Sequence, residues 1–261
     1  MTSENYQTHK RKQLYIILLE KKDKDKRHIS NWRPISLINV AVKIGSKAIA
    51  KRLEYVLPSI IHFNQCAYVK GRTIFDAVRT VEDILDYTER FKINGRLIDI
   101  DFKKAFDSVS RKFLFRTLSA ARFGPSFIHW IHTFYNNISS CVSNNGFATA
   151  HFDIQRGVRQ GDPLSPYLFI VVLETLASTI RSDEDIRGIM VDGQEIKLGL
   201  FADDLTGFLK NDKSLIKFLE LVLLFGKCSG LVIKTMISRK YCYLETLSPR
   251  PPTLIILLLK T

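Results

Sequence analysis

The run Ile196-Lys-Leu-Gly-Leu-Phe-Ala-Asp-Asp-Leu-Thr-Gly-Phe-Leu209 decides the fold. Two short apolar stretches, Ile196–Ala202 and Leu205–Leu209, flank the Asp203-Asp204 pair. Apolar runs of this length beside turn residues predict strands. The segment therefore reads as a hairpin carrying two carboxylates at its tip. Immediately upstream, Gly188–Val191 predicts another short strand. Further upstream, Pro163–Ile180 predicts a helix, opened by Asp162 as cap and Pro163 as first residue, with Leu164, Leu168, Val172, Leu176 and Ile180 at apolar positions. Downstream, Ser214–Lys227 predicts a helix ended by Cys228-Ser229-Gly230, and Leu231–Ile233 starts one more strand.

The front half alternates in the same way. Leu14–Leu19 predicts a strand that ends in the charged turn Glu20–Lys26. Arg33–Ile38 is its expected hairpin partner, confined to an edge by Pro34. Helices are predicted over Val40–Leu57, stopping at Pro58, and over Thr73–Phe91. After the break at Gly95, Arg96–Phe102 predicts a strand. Arg111–Ala121 and Ser126–Tyr135 predict helices separated by Gly124-Pro125, and Ser139–Gln155 a hairpin turning at Asn144-Asn145-Gly146. Hairpins mixed with helices imply an α+β fold and argue against a doubly wound parallel sheet. We expect a basic tail over residues 1–13, one domain over 14–245, and a divergent or disordered tail over 246–261, where the pattern fails.

Composition narrows the function. The chain has 261 residues, 46% apolar and 25% charged, near the globular average. Its net charge of +13 points to a polyanionic partner. The charge is uneven: +9 in residues 1–52, +3 in 53–150, −4 in 151–210 and +5 in 211–261. A basic front and one acidic stretch suggest a surface for phosphates and a site that needs carboxylates. No apolar run approaches the ~20 residues of a membrane span; Thr253–Leu259 is too short. Met1–Lys12 is polar and basic and holds no signal-peptide core, so no targeting signal is read. Cys66, Cys141, Cys228 and Cys242 form no CxxC, and His129 and His132 lack a second ligand pair. An intracellular setting without a zinc site or disulfide framework follows as the expectation. Walker A, GxSxG and GxGxxG motifs are missing from the sequence.

Two acidic clusters carry the chemistry: Asp99-Ile-Asp101-Phe-Lys-Lys-Ala-Phe-Asp107 and Phe201-Ala-Asp203-Asp204. Apolar residues flank both, which places the carboxylates near the core, where repulsion and desolvation disfavour ionisation. Divalent cations relieve that cost, and Mg²⁺ prefers such hard oxygen ligands. An isolated Asp-Asp pair reads first as an ordinary Asx turn, and its company shifts that reading. Its company is Gly157-Val-Arg-Gln-Gly-Asp-Pro-Leu-Ser-Pro166, in which Gln160-Gly161 precedes a helix start, a place that suits close approach and negative charge.

Five motifs in order are Asn31-Trp-Arg-Pro-Ile-Ser36, Tyr68-Val-Lys-Gly-Arg72, Asp101-Phe-Lys-Lys-Ala-Phe-Asp107, Arg159-Gln-Gly-Asp-Pro-Leu-Ser-Pro166 and Phe201-Ala-Asp-Asp204. Together they resemble the reverse transcriptase domain of LINE-type (non-LTR) retrotransposons, and Leu18–Lys26 resembles the L1-like subgroup. The resemblance runs from about residue 14 to 240. It implies the fingers and palm of a right-hand polymerase, with an antiparallel palm sheet packed by helices and a thumb absent or incomplete. It implies that Asp101 and Asp203 are catalytic ligands of two Mg²⁺ ions, with Mn²⁺ as a substitute, together with the backbone carbonyl of Phe102. Asp204 would support them. By the same resemblance Phe106 closes over the sugar 2′ position, Gln160 and Gly161 pack on nucleotide and template, and Lys21 or Lys22 with Arg33 holds the triphosphate. Arg72 would touch a template or nucleotide phosphate, and Asp107 would be structural. The implied activity is RNA-directed DNA synthesis from dNTPs on an RNA template with a DNA primer. No membrane and no obligatory protein partner are implied, and the resemblance places the protein in cytoplasm and nucleus.

The sequence departs from the family pattern. Ala41 stands where the family usually has Asp. After Gly230-Leu231, Val232, Lys234 and Ile237 replace the usual pattern with its lysine, leaving Lys234 or Lys240 as substitutes. The family's endonuclease and C-terminal extension are not expected within these 261 residues, and Thr246–Thr261 does not resemble a thumb. The expectation is a truncated copy with an intact active-site core. Its alternative is a catalytically decayed nucleic-acid-binding remnant. A Mg²⁺ nuclease would use the carboxylates but leave Gln160-Gly161 and Arg33 unexplained.

Overall fold

Strand β1 (Gln13–Glu20) pairs antiparallel with β2 (Trp32–Leu37), joined through a charged turn and a single 3-10 turn at Ile29–Asn31. This computed structural model describes residues 13–23 and 25–241. The expected tails, apart from Gln13 at the start of β1, lie outside the described residues, as do the boundary at 245/246 and Cys242. Pro34 sits on β2, which is an edge strand, where its missing N–H breaks no ladder. The other edge of β1 pairs in parallel with β4 (Ser139–Asn144). That parallel pair is not foreseeable locally, because its strands are more than a hundred residues apart. β4 turns through Asn145 and Gly146, both at positive φ, into β5 (Phe147–Ala148), and also pairs with β6 (Phe152–Asp153).

Helix α1 (Val40–Ile60) begins at Asn39, whose side chain accepts from the Ala41 N–H. It runs past Pro58, contrary to the expected stop. The proline lies in the last turn, where its ring forfeits one bond, and the Ile61 N–H still closes on Leu57 O at 2.8 Å. Helix α2 (Ile74–Arg90) starts with a capping box between Thr73 and Asp76.

The second sheet is the frame of the site. Its order is β11-β3-β10-β9, all antiparallel, built from β3 (Gly95–Phe102), β9 (Leu198–Phe201), β10 (Asp204–Leu209) and β11 (Ile233–Tyr241). A short hairpin, β7 (Ile189–Val191) and β8 (Gln194–Ile196), precedes it. Helices α3 (Ala105–Ser108), α4 (Arg111–Ala120), α5 (Pro125–Tyr135), α6 (Ser165–Ser182) and α7 (Asp212–Ser229) complete the described fold.

Helix α6 is buried almost all round: Leu168 to Leu173, Leu176, Ala177 and Ile180 are all in the core, which suits its continuous apolar run. It packs on α1, α4 and α7 and ties the palm sheet to the rest. Its start differs from expectation. The helix begins at Ser165, and Asp162 caps the preceding turn through Leu164 N–H at 3.1 Å while pairing with Arg159 at 2.6 Å. Among the described residues no helix is long and apolar enough to cross a membrane. The α+β class, the fingers hairpin and the antiparallel palm sheet follow the sequence expectation.

Candidate active site

The acidic hairpin is the turn between β9 and β10. Phe201 pairs with Asp204, leaving Ala202 and Asp203 as the two turn residues. Ala202 adopts the left-handed conformation, φ +54°. The neighbouring strand β3 brings the second acidic cluster alongside. Its last pair with β10 is Ile100 with Leu205, so Asp101 and Asp204 stand one residue beyond it on adjacent strands. Asp99 and Asp101 share the open face of β3, while Ile98, Ile100 and Phe102 point into the core.

Crowding shows in the electrostatics. Burial pushes the Asp203 carboxyl above the usual carboxylate range, and the Asp101 charge adds to this. Burial also pushes Asp204 up, helped by the charges of Asp203, Asp101 and Asp99. On the other side of β3 the ladder with β11 slips between Ile233 and Thr235. Lys234 is the extra residue, and such a bulge re-aims a side chain. Lys234 makes an ion pair with Asp101.

Two loops build the opposite wall. Lys104, at φ +46°, turns the chain from β3 into α3, so that Phe106 faces inward and stacks on Phe169 at 4.7 Å between ring centroids. Loop 157–161 packs against this turn, with Val158 N–H donating to Phe106 O at 2.7 Å and Gly157 N–H to Val109 O at 2.7 Å. Gly157 has φ +84°, and a β-carbon there would lie 2.7 Å from Asp107 O, so only glycine fits. The Gln160 side chain donates to Asp107 at 3.0 Å, and burial pushes the Asp107 carboxyl up. Asp107 thus orients Gln160. Gln160 O accepts from Ser36 N–H at 3.1 Å, which joins the loop to β2.

These elements enclose an open cleft of about 550 Å³. Its lining includes Asp203 and Lys234, Phe106, Gln160 and Gly161, and Lys21 and Arg33 of the β1–β2 hairpin. Lys103 and Lys104 add two more cations, against only Asp107 and Asp203 as acidic lining residues. A cleft of this shape suits a polyanion that must approach two carboxylates.

The structure thus gathers Phe102, Phe106, Gln160, Gly161, Lys21, Arg33 and Asp203 around one space. Asp101 and Asp204 line an adjacent recess with Asp99. Lys22 is exposed and does not line the cleft. Arg72 does not line it either. Its guanidinium donates to the carbonyls of Ile61, His62 and Gln65 at 2.7–2.9 Å, a clamp on the chain that leaves α1. Lys240 is part of β11, in register with Arg96. Sequence reasoning missed Gln65, Tyr68, Lys103 and Lys104. Tyr68 lines the cleft at φ +59°, and its phenol is pushed up by burial and by the Asp203 charge. The motif around Tyr68 was visible, but nothing local told which of its residues faces the cleft.

Among the described residues no three His, Cys, Asp or Glu side chains converge as a preformed metal cage. The donor set is instead a pair of crowded carboxylates, Asp101 and Asp203, beside a phosphate-sized, cation-lined cleft. Hard oxygen donors left mutually repelling fit divalent ions whose remaining ligands come from a substrate.

The family model described as "Reverse transcriptase (RNA-dependent DNA polymerase)" matches residues 19–240. The chain is 38% identical over 191 residues to the Transposon TX1 uncharacterized 149 kDa protein of Xenopus laevis, covering 72% of this chain and 14% of that protein. It is 31% identical over 212 residues to the Retrovirus-related Pol polyprotein from type-1 retrotransposable element R2 of Popillia japonica, covering 80% of this chain and 29% of that one. The chain therefore spans under a third of these relatives. Among solved structures, telomerase from Candida tropicalis with a fragment of telomeric RNA superposes with TM-score 0.61 at 12% identity, over 88% of this chain and 41% of that chain. The apo form truncated from its C-terminal domain gives 0.60 at 14%, over 89% and 51%.

Proposed function

Because the chain belongs to the reverse transcriptase (RNA-dependent DNA polymerase) family, we propose that it extends a DNA primer with dNTPs along an RNA template, using the cleft between Asp203 and Arg33. The observation that carries this reading is the cleft itself, whose lining combines the cations Lys21, Arg33, Lys103 and Lys104 with the aromatic Phe106 and the Asp203 carboxylate, while Asp101 lines the recess beside Asp204.

Each residue has a task that follows from its chemistry. Arg33 and Lys21 hold the triphosphate; the guanidinium fork suits two phosphate oxygens at once. Phe106, fixed by its stack on Phe169, covers the sugar and leaves no room for a 2′-hydroxyl. Gln160, held by Asp107, and Gly161 line the nucleotide and template side. Asp101 and Asp203, with the Phe102 carbonyl, would hold two Mg²⁺ ions, for which Mn²⁺ can stand in. When bound, such ions lower the pKa of the primer hydroxyl and neutralise charge on the leaving pyrophosphate. Lys234 lines the same cleft and offers a cation to the leaving group. Most of the rate gain would come from positioning and charge stabilisation.

Primer extension on an RNA template tests this. Wild type should add dNTPs in Mg²⁺ and stop in EDTA, and Arg33→Ala should raise the dNTP KM about tenfold or more, as expected for loss of a charge-assisted phosphate contact. Duplex binding with a steep salt dependence but no extension in either metal would favour the decayed nucleic-acid-binding remnant.

A further inference from the structure

The turn that presents Asp203 is held from outside its own hairpin. Ala202 is buried and left-handed, a conformation that costs a non-glycine residue about 1–2 kcal/mol. A two-residue turn with that geometry leaves the Ala202 N–H and C=O without partners in the hairpin ladder. Both are taken by one side chain. The Gln65 amide accepts from Ala202 N–H at 3.0 Å and donates to Ala202 O at 3.2 Å.

Gln65 is itself fully buried and fixed in several ways. Its side-chain oxygen also accepts from Ala67 N–H at 3.0 Å. The flanking chain bonds to β9 through Cys66 N–H to Leu200 O at 2.9 Å and Leu200 N–H to Asn64 O at 2.8 Å. Its own carbonyl accepts from Arg72 at 2.8 Å. A continuous path of hydrogen bonds therefore runs from Arg72 through Gln65 to Ala202, the residue before Asp203.

We propose that Gln65 is a positioning residue for Asp203, setting the turn so that this carboxylate meets Asp101 across the sheet, and that Arg72 braces Gln65 from behind. The role rests on the polymerase reading above for its catalytic consequence, but its effect on metal binding stands apart from that reading. Only a planar amide serves here, since it must donate and accept on one backbone unit. Leucine at 65 would leave three main-chain groups buried and unpaired, the Ala202 N–H and C=O and the Ala67 N–H.

The test uses the full chain carrying Gln65→Leu, Gln65→Glu, Arg72→Lys and, as a packing control in the core of α6, Ile180→Val. Mn²⁺ binding is read by electron paramagnetic resonance without nucleic acid or dNTP, and single-nucleotide addition is read at saturating template–primer. Gln65→Leu should weaken Mn²⁺ binding and lower kcat about 30-fold or more, because an ångström of misplacement at reacting groups has effects of that order. Its dNTP KM should stay within about threefold, since uniform binding is untouched. Gln65→Glu keeps the acceptor and loses the donor, so it should fall between wild type and Gln65→Leu. Arg72→Lys should shift in the same direction by less. Ile180→Val should lower the melting temperature and leave Mn²⁺ binding and kcat alone. Should Gln65→Leu not fold, Gln65→Glu carries the same comparison. Wild-type Mn²⁺ affinity in a folded Gln65 variant overturns the proposal. If wild type adds no nucleotide, the polymerase reading fails, while the Mn²⁺ titration still decides the role of Gln65.

Discussion

Lys234 reaches Asp101 because it is the bulged residue of β11, inserted between the partners of Phe102 and Asp101. A regular ladder would leave it no such aim. Lys234 also lines the cleft together with Asp203, so the contact puts a cation within that space. Replacing it with methionine should slow nucleotide addition at least about tenfold, within the range of a lost acid or charge stabiliser. Template–primer affinity should change less than about twofold, since one exposed cation contributes little to duplex binding. Single-turnover rates beside a filter-binding titration check both halves.

Phe106 is held flat by Phe169 and lines the cleft. Phe106→Val shortens the wall without adding polarity. Ribonucleotide incorporation should rise relative to dNTP by about tenfold or more, since a steric exclusion of a few kcal/mol is relaxed. Competition between rCTP and dCTP on one template measures the ratio.

The Gln160–Asp107 bond makes a statement about pH. Burial raises the folded-state pKa of Asp107 above its ordinary value. A raised carboxyl stabilises the fold below the usual carboxylate range and loses that contribution as pH rises through the folded-state value. At pH 7 the ionised side chain therefore weighs against folding. Asp107→Asn keeps an acceptor for Gln160 and removes the charge. Its melting temperature should exceed wild type at pH 7, and the gap should close toward pH 4. Scanning calorimetry across that range decides the matter, and a gap independent of pH would contradict the assignment.

The Arg159–Asp162 pair is buried on both sides, at 5% and 0% side-chain exposure, with the guanidinium over the Tyr135 ring at 4.7 Å. Asp162→Ala leaves an arginine charge buried without its partner, which costs about 3–5 kcal/mol. Urea denaturation should show that loss as a lower midpoint with an unchanged slope.

Much of this architecture is legible from local pattern. The hairpin Ile196–Leu209, the apolar run of α6 and the asparagine-glycine turn after β4 each announce their element. The carboxylates Asp101 and Asp203 are marked by their apolar flanks. What sequence could not give are the long-range pairings. The parallel contact of β1 with β4 joins residues over a hundred positions apart. Gln65 bonds to Ala202 across 137 positions, and nothing near Gln65 signals it. Arg72 was legible as an arginine in a motif, but its three carbonyl partners show that it braces the backbone, where a phosphate contact was expected. The helix that continues through Pro58 shows tertiary packing overriding a local stop signal.

The most direct test of the account is single-nucleotide incorporation on a DNA-primed RNA template in Mg²⁺, comparing wild type with Asp101→Asn and Asp203→Asn while the templating base is changed. Wild type should add the complementary dNTP for each base, and both variants should lose at least about three orders of magnitude in rate, as expected when a ligand of the reacting metals is removed. Incorporation by either asparagine variant at the wild-type rate would contradict this expectation.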